Sequence, residues 1–462
     1  MSTTTATITL ASKEQGKFPP YAYTPTEDRQ LPLANPVLPP LFDGPTTWSN
    51  FVSRVNWFQS ILLTSTPLLA IYLASQTHLQ TKTMYWSLLY YLITGLGITA
   101  GYHRYWAHRS YDCTPLTRIG LCLAGSGAFQ GSIHWWSRGH RAHHRWTDSD
   151  KDPYAAPRGF FFSHIGWMLI NRPKNRIGYA DTADLKADPL VRFQHRYYLY
   201  FAVFMAFVFP CLVAGLLWGD YKGGFVYAGL CRLVFIHHAT FCVNSLAHYI
   251  GENPFDDYHT PKDSWITAIV TCGEGYHNFH HEFPQDYRNA ILWHQYDPTK
   301  WLIKGLSFFG LTYNLKTFSS NEIEKGKVQM MEKKVDQIKK TLTYGKLLHE
   351  LPVYTMEEFQ ARVNQENKKW ILLDGMIYDV EHFDHPGGAK YLFAGIGKDM
   401  TKSFNGGIYN HSNGARNLLS SMRVGVIKDA IDLSKVYSRT DACAEKAAEY
   451  DGSLEPEKRK TM

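Results

Sequence analysis

The sequence predicts a mainly α-helical membrane protein with a small α+β module near its carboxyl end. Two observations favour this fold class: four long apolar segments lie between residues 57 and 247, and a compact stretch with strand–turn–strand character occupies residues 347–427. Only 19% of the 462 residues are charged, below the ~25% usual for soluble domains. The seven cysteines contain no C-x-x-C pair, so we expect reduced thiols without a disulfide framework.

The four apolar segments form two close pairs. Residues 57–76 and 85–102 are separated by eight residues, and residues 197–218 and 225–247 by six. A helix rises ~1.5 Å per residue, so about 20 residues cross a hydrocarbon core of roughly 30 Å. The sequence therefore predicts four transmembrane helices in two hairpins. The alternative is a set of buried helices in a large soluble protein, which the wholly uncharged segment 197–218 disfavours.

The loop charges predict the orientation of these hairpins. The short turns place both chain ends and residues 103–196 on one side, which holds nearly all the Lys and Arg, whereas the opposite turns offer only Lys82 and Lys222. Positively charged loops stay in the cytosol, so we expect cytosolic termini and a cytosolic long loop. The shorter apolar runs 119–133 and 160–171 contain polar residues and predict interfacial segments.

Composition divides the chain into five parts. The first is proline-rich, with eight prolines, and lacks the basic and apolar regions of a cleavable secretory signal. A charged stretch near residue 330 predicts a solvated helical linker. The expected parts are an irregular segment 1–48, a four-span domain 49–318, a charged linker 319–346, the compact module 347–427 and a polar tail 428–462.

Two H-x-x-H-H patterns, "HRAHH" at 140–144 and "HNFHH" at 277–281, lie more than a hundred residues apart. Positions i, i+3 and i+4 share one helix face, so the three histidines of each pattern can point into one space. Asn244 and His248 are an i, i+4 pair at the cytosolic end of the fourth apolar segment. His103 and His108 are five residues apart, so we expect a break or turn in the helix between them.

The histidines of these four places are candidate metal ligands. Neutral imidazole binds zinc, iron, copper and nickel, and a single zinc needs three or four ligands. Nine histidines are too many for one ion and suit two ions with four or five ligands each. The alternative is a chance cluster of surface or hydrogen-bonding histidines. The nine candidates are His103, His108, His140, His143, His144, His248, His277, His280 and His281.

These motifs resemble the histidine boxes of membrane fatty acyl-CoA desaturases. The surrounding "GITAGYHRYWAH", "GSGAFQ" and "GFFFSHIGW" are similar to the delta-9 (stearoyl-CoA) branch of that family. The resemblance implies a cytosolic helical cap holding a di-iron centre bound by the nine histidines, with Asn244 approaching one iron through water. The spacing leaves open which histidine binds which iron. The implied enzyme inserts a cis double bond between carbons 9 and 10 of palmitoyl- or stearoyl-CoA, in the endoplasmic reticulum membrane.

The same resemblance implies substrate contacts. Arg138 matches an arginine that meets the CoA phosphates, and Arg172 falls in a second basic region that contacts CoA. The family often has an acidic residue where this chain has Gly139, and Trp where it has Phe241. Cys272 and His164 lie near these motifs, and we interpret them as packing or supporting residues. The bend of the acyl tunnel is expected to be lined by Gln130, Trp136 and Thr240.

Residues 384–393, "DHPGGAKYLF", and 409–419, "YNHSNGARNLL", resemble the haem-binding loops of cytochrome b5, with His385 and His411 as axial ligands of a haem b. Two axial histidines leave no site for oxygen, so such a haem transfers electrons. No side chain can oxidise an unactivated C–H bond, so desaturation needs a cofactor that activates O2. Each turnover also needs two electrons from another source to take the O2 to water. The implied electron source is an NAD(P)H–cytochrome b5 reductase, and we expect no nucleic-acid partner.

Other functions remain open at this point. Membrane di-iron hydroxylases of lipid substrates use similar histidine boxes. Front-end desaturases carry the haem domain at the amino terminus and Gln at the first position of the third box, whereas this chain has the opposite order and His277. A tethered haem protein with structural zinc in the histidine cluster would only carry electrons, and would hold two redox-inert metals.

Overall fold

A computed structural model describes residues 37–428, so most of the expected irregular segment 1–48 and nearly all of the tail 428–462 lie outside the described residues. The chain divides into two compact units between Met330 and Met331. The helices of the first unit are α1 (Trp48–Arg54), α2 (Trp57–Ser75), α3 (Thr81–Leu96), α4 (Pro115–Ser126), α5 (Ile133–Trp146), α6 (Trp167–Leu169), α7 (Ala183–Ala187), α8 (Pro189–Arg196), α9 (Tyr198–Val203), α10 (Phe209–Trp218), α11 (Tyr221–Gly223), α12 (Arg232–Asn244), α13 (Leu246–Tyr249), α14 (Trp265–Val270), α15 (His277–Glu282) and α16 (Pro298–Ser307).

Three helices of the described residues are long and apolar enough to cross a membrane, judged by length and composition: Trp57–Ser75, Tyr198–Trp218 and Tyr221–Tyr249. They coincide with the first, third and fourth predicted segments. The second predicted segment is helical, as α3 followed by the π-helical stretch Gly97–Ala107, but its composition falls short of a span. Because nearly all of Gly97–Ala107 is buried against protein, this stretch needs little lipid-facing apolar surface. The four-span arrangement therefore stays a prediction.

Buried polar groups in the third of these helices, Tyr221–Tyr249, form hydrogen bonds inside the protein. Arg232 is 2% exposed, and its guanidinium donates to the carbonyls of Gly127 (2.7 Å), Ala206 (3.0 Å) and Ala228 (3.0 Å). His237 Nε2 lies 3.0 Å from the carbonyl oxygen of Ala128. Arg232 and His237 therefore find their hydrogen-bond partners inside the protein, as polar groups within an apolar segment require.

Helix α4 crosses the π-helical stretch at unusually short range. A Cβ at Gly97 would lie 2.3 Å from the backbone nitrogen of Gly125, so only glycine permits this approach. The adjoining core contains Ile98, Tyr102 and Ile133, which are at most 4% exposed. This packing fixes the start of α5 against the helix that carries His103.

A short ladder of β1 (Asp112–Cys113) with β2 (Thr312–Tyr313) lies in the first unit. The second unit contains a four-stranded sheet, whose strands in spatial order are β3 (Val353–Tyr354), β6 (Arg423–Ile427), β5 (Met376–Asp379) and β4 (Trp370–Leu373). The predicted strand–turn–strand is confirmed as an antiparallel hairpin of β4 and β5, with positive φ at Asp374 and Gly375 in its turn. The charged stretch is the helix α17, which crosses the division between the units. The remaining α-helices are α17 (Ser320–Thr341), α18 (Met356–Asn364), α19 (Ala389–Phe393), α20 (Thr401–Phe404) and α21 (Asn413–Met422).

Candidate metal centre and haem site

The π-helical stretch after α3 brings His103 and His108 to the same face. The backbone N–H of His108 donates to the carbonyl of His103 over 3.0 Å, a five-residue hydrogen bond. A turn of this width aligns residues five apart, and such π-turns occur often at functional sites. Of the expected break or turn, the structure therefore has a widened π-turn, and the helix continues through it without a break.

The nine predicted histidines form two groups, and the ligand atoms within each group lie within 4.8 Å of one another. On both α5 and α15 the i, i+4 pair joins one group and the middle histidine joins the other. Each H-x-x-H-H therefore supplies both groups, a division that the spacing left open. The five-histidine group contains His103, His108, His140, His144 and His280. The four-histidine group contains His143, His248, His277 and His281.

The spacing of the Nε2 atoms fits bound metal ions. Neighbouring Nε2 atoms are separated by 2.8 Å for His108 and His140, 3.0 Å for His280 and His144, and 3.1 Å for His281 and His277. Two metal–nitrogen bonds of about 2.1 Å at right angles place their nitrogens about 3.0 Å apart. In the four-histidine group, His248 Nε2 is buried and has no hydrogen-bond partner within residues 37–428, which suits a nitrogen that binds a metal.

Three of these histidines are fixed in one tautomer through their Nδ1 atoms. His103 Nδ1 lies 3.0 Å from Glu274 Oε2, and His143 Nδ1 lies 2.9 Å from Asp152 Oδ1. His248 Nδ1 lies 2.7 Å from Thr260 Oγ1, which in turn donates to Asp148 Oδ1 over 2.7 Å. A proton on Nδ1 leaves a lone pair on Nε2, the form that binds metals. The sequence offered no signal for Glu274, Asp152, Thr260 or Asp148, because nothing in their local pattern marks them.

Burial keeps the remaining ligands neutral. It lowers the pKa well below the usual histidine value, and the neighbouring imidazoles lower it further, since protonated rings would repel one another. Metal ligands must be deprotonated, so these groups are already in the binding form at neutral pH. The residues concerned are His108, His140, His144, His277, His280 and His281.

A cavity of about 440 Å³ lies beside the five-histidine group and contains His103, His140 and Asn244 in its wall. Its apolar wall includes Leu63 and Ile236. All five residues that the sequence suggested for substrate contacts line this cavity: Arg138, Arg172, Gln130, Trp136 and Thr240.

The predicted bend of the cavity has a defined polar contact. Gln130 Nε2 donates to Thr240 Oγ1 over 2.8 Å, and the Trp136 ring stacks on His140 with centroids 5.1 Å apart. Cys272 also lines the cavity, whereas His164 instead contacts Ser245 Oγ at 2.9 Å.

In the second unit, His385 and His411 face each other with ring centroids 6.1 Å apart. One metal between two imidazoles, with bonds of about 2 Å, places the ring centres roughly 6 Å apart. His411 Nδ1 donates to the Phe404 carbonyl over 3.1 Å, and the Phe404 ring stacks on His411 at 4.2 Å. The turn before α19 needs Gly388, whose φ is 99°.

Comparison with known proteins identifies two domains in the chain. Residues 81–316 match the family model described as fatty acid desaturase, and residues 355–428 match the cytochrome b5-like heme/steroid binding domain. The probable acyl-CoA desaturase of Schizosaccharomyces pombe is 51% identical over 391 residues, covering 85% of this chain and 81% of the relative.

Two further relatives extend the comparison. Acyl-CoA desaturase 1 of Saccharomyces cerevisiae is 46% identical over 392 residues, covering 84% of this chain and 77% of the relative. Stearoyl-CoA desaturase 5 of Bos taurus is 39% identical over 280 residues, covering 60% of this chain and 84% of the relative. The chain therefore belongs to the fatty acid desaturase family and carries a cytochrome b5-like domain at its carboxyl end.

Proposed function

We propose that the protein is an oxygen-dependent acyl-CoA delta-9 desaturase that inserts a cis double bond between carbons 9 and 10 of palmitoyl- or stearoyl-CoA. One observation carries the proposal: a cavity with an apolar wall and two arginines lies beside the five-histidine group, and the four-histidine group adjoins that group. The names of the relatives, acyl-CoA and stearoyl-CoA desaturases, support the same substrate class.

The two histidine groups would each hold one iron, with Asn244 reaching one of them through water. Iron supplies the oxidising power from dioxygen that side chains lack, whereas zinc has no redox chemistry. The chain holds His103, His143 and His248 in place through Glu274, Asp152 and Thr260. Burial favours the deprotonated form of the other six ligands.

The cavity residues would bind and bend the substrate. Arg138 and Arg172 supply positive charge for the phosphates of CoA, and neither forms an ion pair among the described residues. The Gln130–Thr240 hydrogen bond and the Trp136 ring shape the wall near the metal groups. A close-fitting apolar wall excludes water and holds one carbon pair at the reacting position.

Electrons would arrive through a haem b held by His385 and His411. The hydrogen bond from His411 Nδ1 to the Phe404 carbonyl leaves Nε2 as the nitrogen that would bind the haem. Two axial histidines suit one-electron transfer, and an NAD(P)H–cytochrome b5 reductase would be the external source of the two electrons per turnover.

We further propose four membrane spans in two hairpins, with a cytosolic helical cap around the metal groups. The second span would be residues 85–102, and both termini and the active site would face the cytosol of an endoplasmic reticulum membrane. The domains would be the four-span domain 49–318, the linker 319–346 and the haem module 347–427, flanked by the segments 1–48 and 428–462. The loop charges and the three apolar helices support this topology.

The decisive experiment expresses the chain in a host that lacks its own desaturase. Gas chromatography with double-bond mapping should show palmitoleic and oleic acids with unsaturation at carbon 9. The variant His281→Ala, expressed to the same level, serves as the inactive control. A hydroxylated fatty acid in place of the alkene would replace this proposal with a membrane di-iron hydroxylase, and redox-inert zinc without oxygen uptake would leave only an electron carrier.

A further inference from the structure

We propose that Glu274 is a positioning residue of the five-histidine group. Its carboxylate holds His103 in the tautomer whose Nε2 is free to bind the metal. The proposal rests on the proposed function, since it takes this group to hold iron. Glu274 is 3% exposed, and its Oε2 lies 3.0 Å from His103 Nδ1. A buried carboxylate at this distance accepts the Nδ1–H, so the Nε2 lone pair is free to bind.

The carboxylate is itself held by a buried ion-pair network. Arg104 follows His103 in the chain, and its Nη2 donates to Glu274 Oε1 and to Asp297 Oδ1, both over 2.9 Å. Asn289 Nδ2 donates to Glu274 Oε2, on the same side as His103. Each oxygen of Glu274 therefore has a fixed donor, and the carboxylate cannot rotate away from His103 without losing a buried hydrogen bond.

The four-histidine group uses the same device with a different support. Asp152 Oδ1 lies 2.9 Å from His143 Nδ1 and accepts from the Tyr154 backbone N–H over 3.1 Å. Its Oδ2 accepts from the Asp148 backbone N–H over 3.0 Å, so backbone groups take the place of the guanidinium. Each metal group thus has its own histidine–carboxylate pair. The two pairs share no residue, so removal of one should affect one metal.

The test counts metals per haem in the full-length protein, purified in detergent. Haem absorbance gives the protein concentration independently of the desaturase site. The protein is dialysed against increasing chelator, and bound iron is measured by elemental analysis. Loss of such a supporting carboxylate lowers metal affinity by ~10–100-fold. Glu274→Ala should therefore release one of two irons at a correspondingly lower chelator concentration, with unchanged haem.

Two further variants make the result specific. Asp152→Ala is the matched control, since it should release one iron with Glu274 intact, and the double variant should release both. Glu274→Gln keeps an amide oxygen that His103 can donate to but removes the charge, so it should release the same single iron with a smaller shift. If Glu274→Ala does not fold, Glu274→Gln decides the question.

The outcomes separate this inference from the proposed function. Fewer than two irons per haem in the unaltered, fully loaded protein would contradict the proposed function itself. Two irons in the unaltered protein, with the same chelator midpoint in Glu274→Ala or Glu274→Gln, would overturn only the role of Glu274. Joint loss of both irons in these variants would also overturn it, because the carboxylate would then support the whole cap and not one group.

Discussion

We expect the residue at position 95, a glycine, to influence the length of acyl chain that the protein accepts. It lies in the wall of the cavity on α3, where a Cβ would meet Ile236 Cδ1 at 3.2 Å and Cys272 Sγ at 3.7 Å. The nearest neighbour is the flexible end of a side chain, so a larger residue can be accommodated by a small shift. Gly95→Leu should therefore fill part of the cavity while the fold persists.

The expected change in the kcat/KM ratio follows from the cavity space that the leucine side chain takes from the acyl chain. Relative to glycine, leucine adds four carbons, more than the two methylenes by which a stearoyl chain exceeds a palmitoyl chain. Each methylene buried from water contributes ~0.8 kcal/mol, so two are worth ~1.6 kcal/mol, or about 15-fold in a rate ratio. Gly95→Leu should lower kcat/KM for stearoyl-CoA relative to palmitoyl-CoA by about this factor.

The assay is a competition between the two acyl-CoA substrates, with products separated by gas chromatography and enzyme normalised to haem absorbance. Gly120→Leu is the matched control, because it makes the same substitution at an exposed position of α4. There the added Cβ meets no described residue within 4 Å apart from the adjoining backbone of its own helix. The control should keep the product ratio of the unaltered protein. A Gly95→Leu enzyme that stays active with a ratio within twofold of the control would refute the assignment of this cavity to the acyl chain.

The other predictions concern the metals, the haem and the stability of the protein at low pH. His281→Ala should lose iron and activity while the haem spectrum persists, and an unchanged iron content would contradict its role as a ligand. His385→Ala should lose haem and all turnover driven by reductase but still bind acyl-CoA; full activity without an added carrier would rule out the haem as donor. Burial alone would raise the pKa of Asp184, but hydrogen bonds from Arg141 and Arg109 outweigh it and hold the pKa below its usual value. This ion-pair contribution is therefore present above about pH 4 and lost below it, so Asp184→Asn should lower the thermal midpoint at pH 7 and approach the unaltered protein as the pH falls below 4.

Sequence patterns predicted the elements whose signal is local. Three apolar segments and the β4–β5 hairpin were found because hydropathy and turn residues act within a few positions. The segment 85–102 shows the limit of this reasoning. Its Tyr, Thr and Gly residues lower its hydropathy, and burial against protein, which depends on α4 and distant helices, decides what it contacts.

The candidate ligands could be found from spacing, but their partition could not. The rule that positions i, i+3 and i+4 share a helix face treats residues 140, 143 and 144 as one set. In the structure the i, i+4 pair joins one histidine group and the middle histidine joins the other. The supporting carboxylate Glu274 lies 170 residues or more from His103 in the chain. Contacts of this kind arise only from the tertiary fold.

The choice of ligands has an electrostatic consequence for the whole site. Helical-bundle di-metal proteins commonly use carboxylates as ligands, so the ligands themselves neutralise the metals. Here all nine candidate ligands are imidazoles, and two buried carboxylates, Glu274 and Asp152, each lie behind one of them. A carboxylate in that position raises the basicity of its imidazole without occupying a place on the metal. With metals bound, these two carboxylates would offset part of the metal charge from behind their histidines. No carboxylate would then have to bind the metals directly next to the apolar cavity.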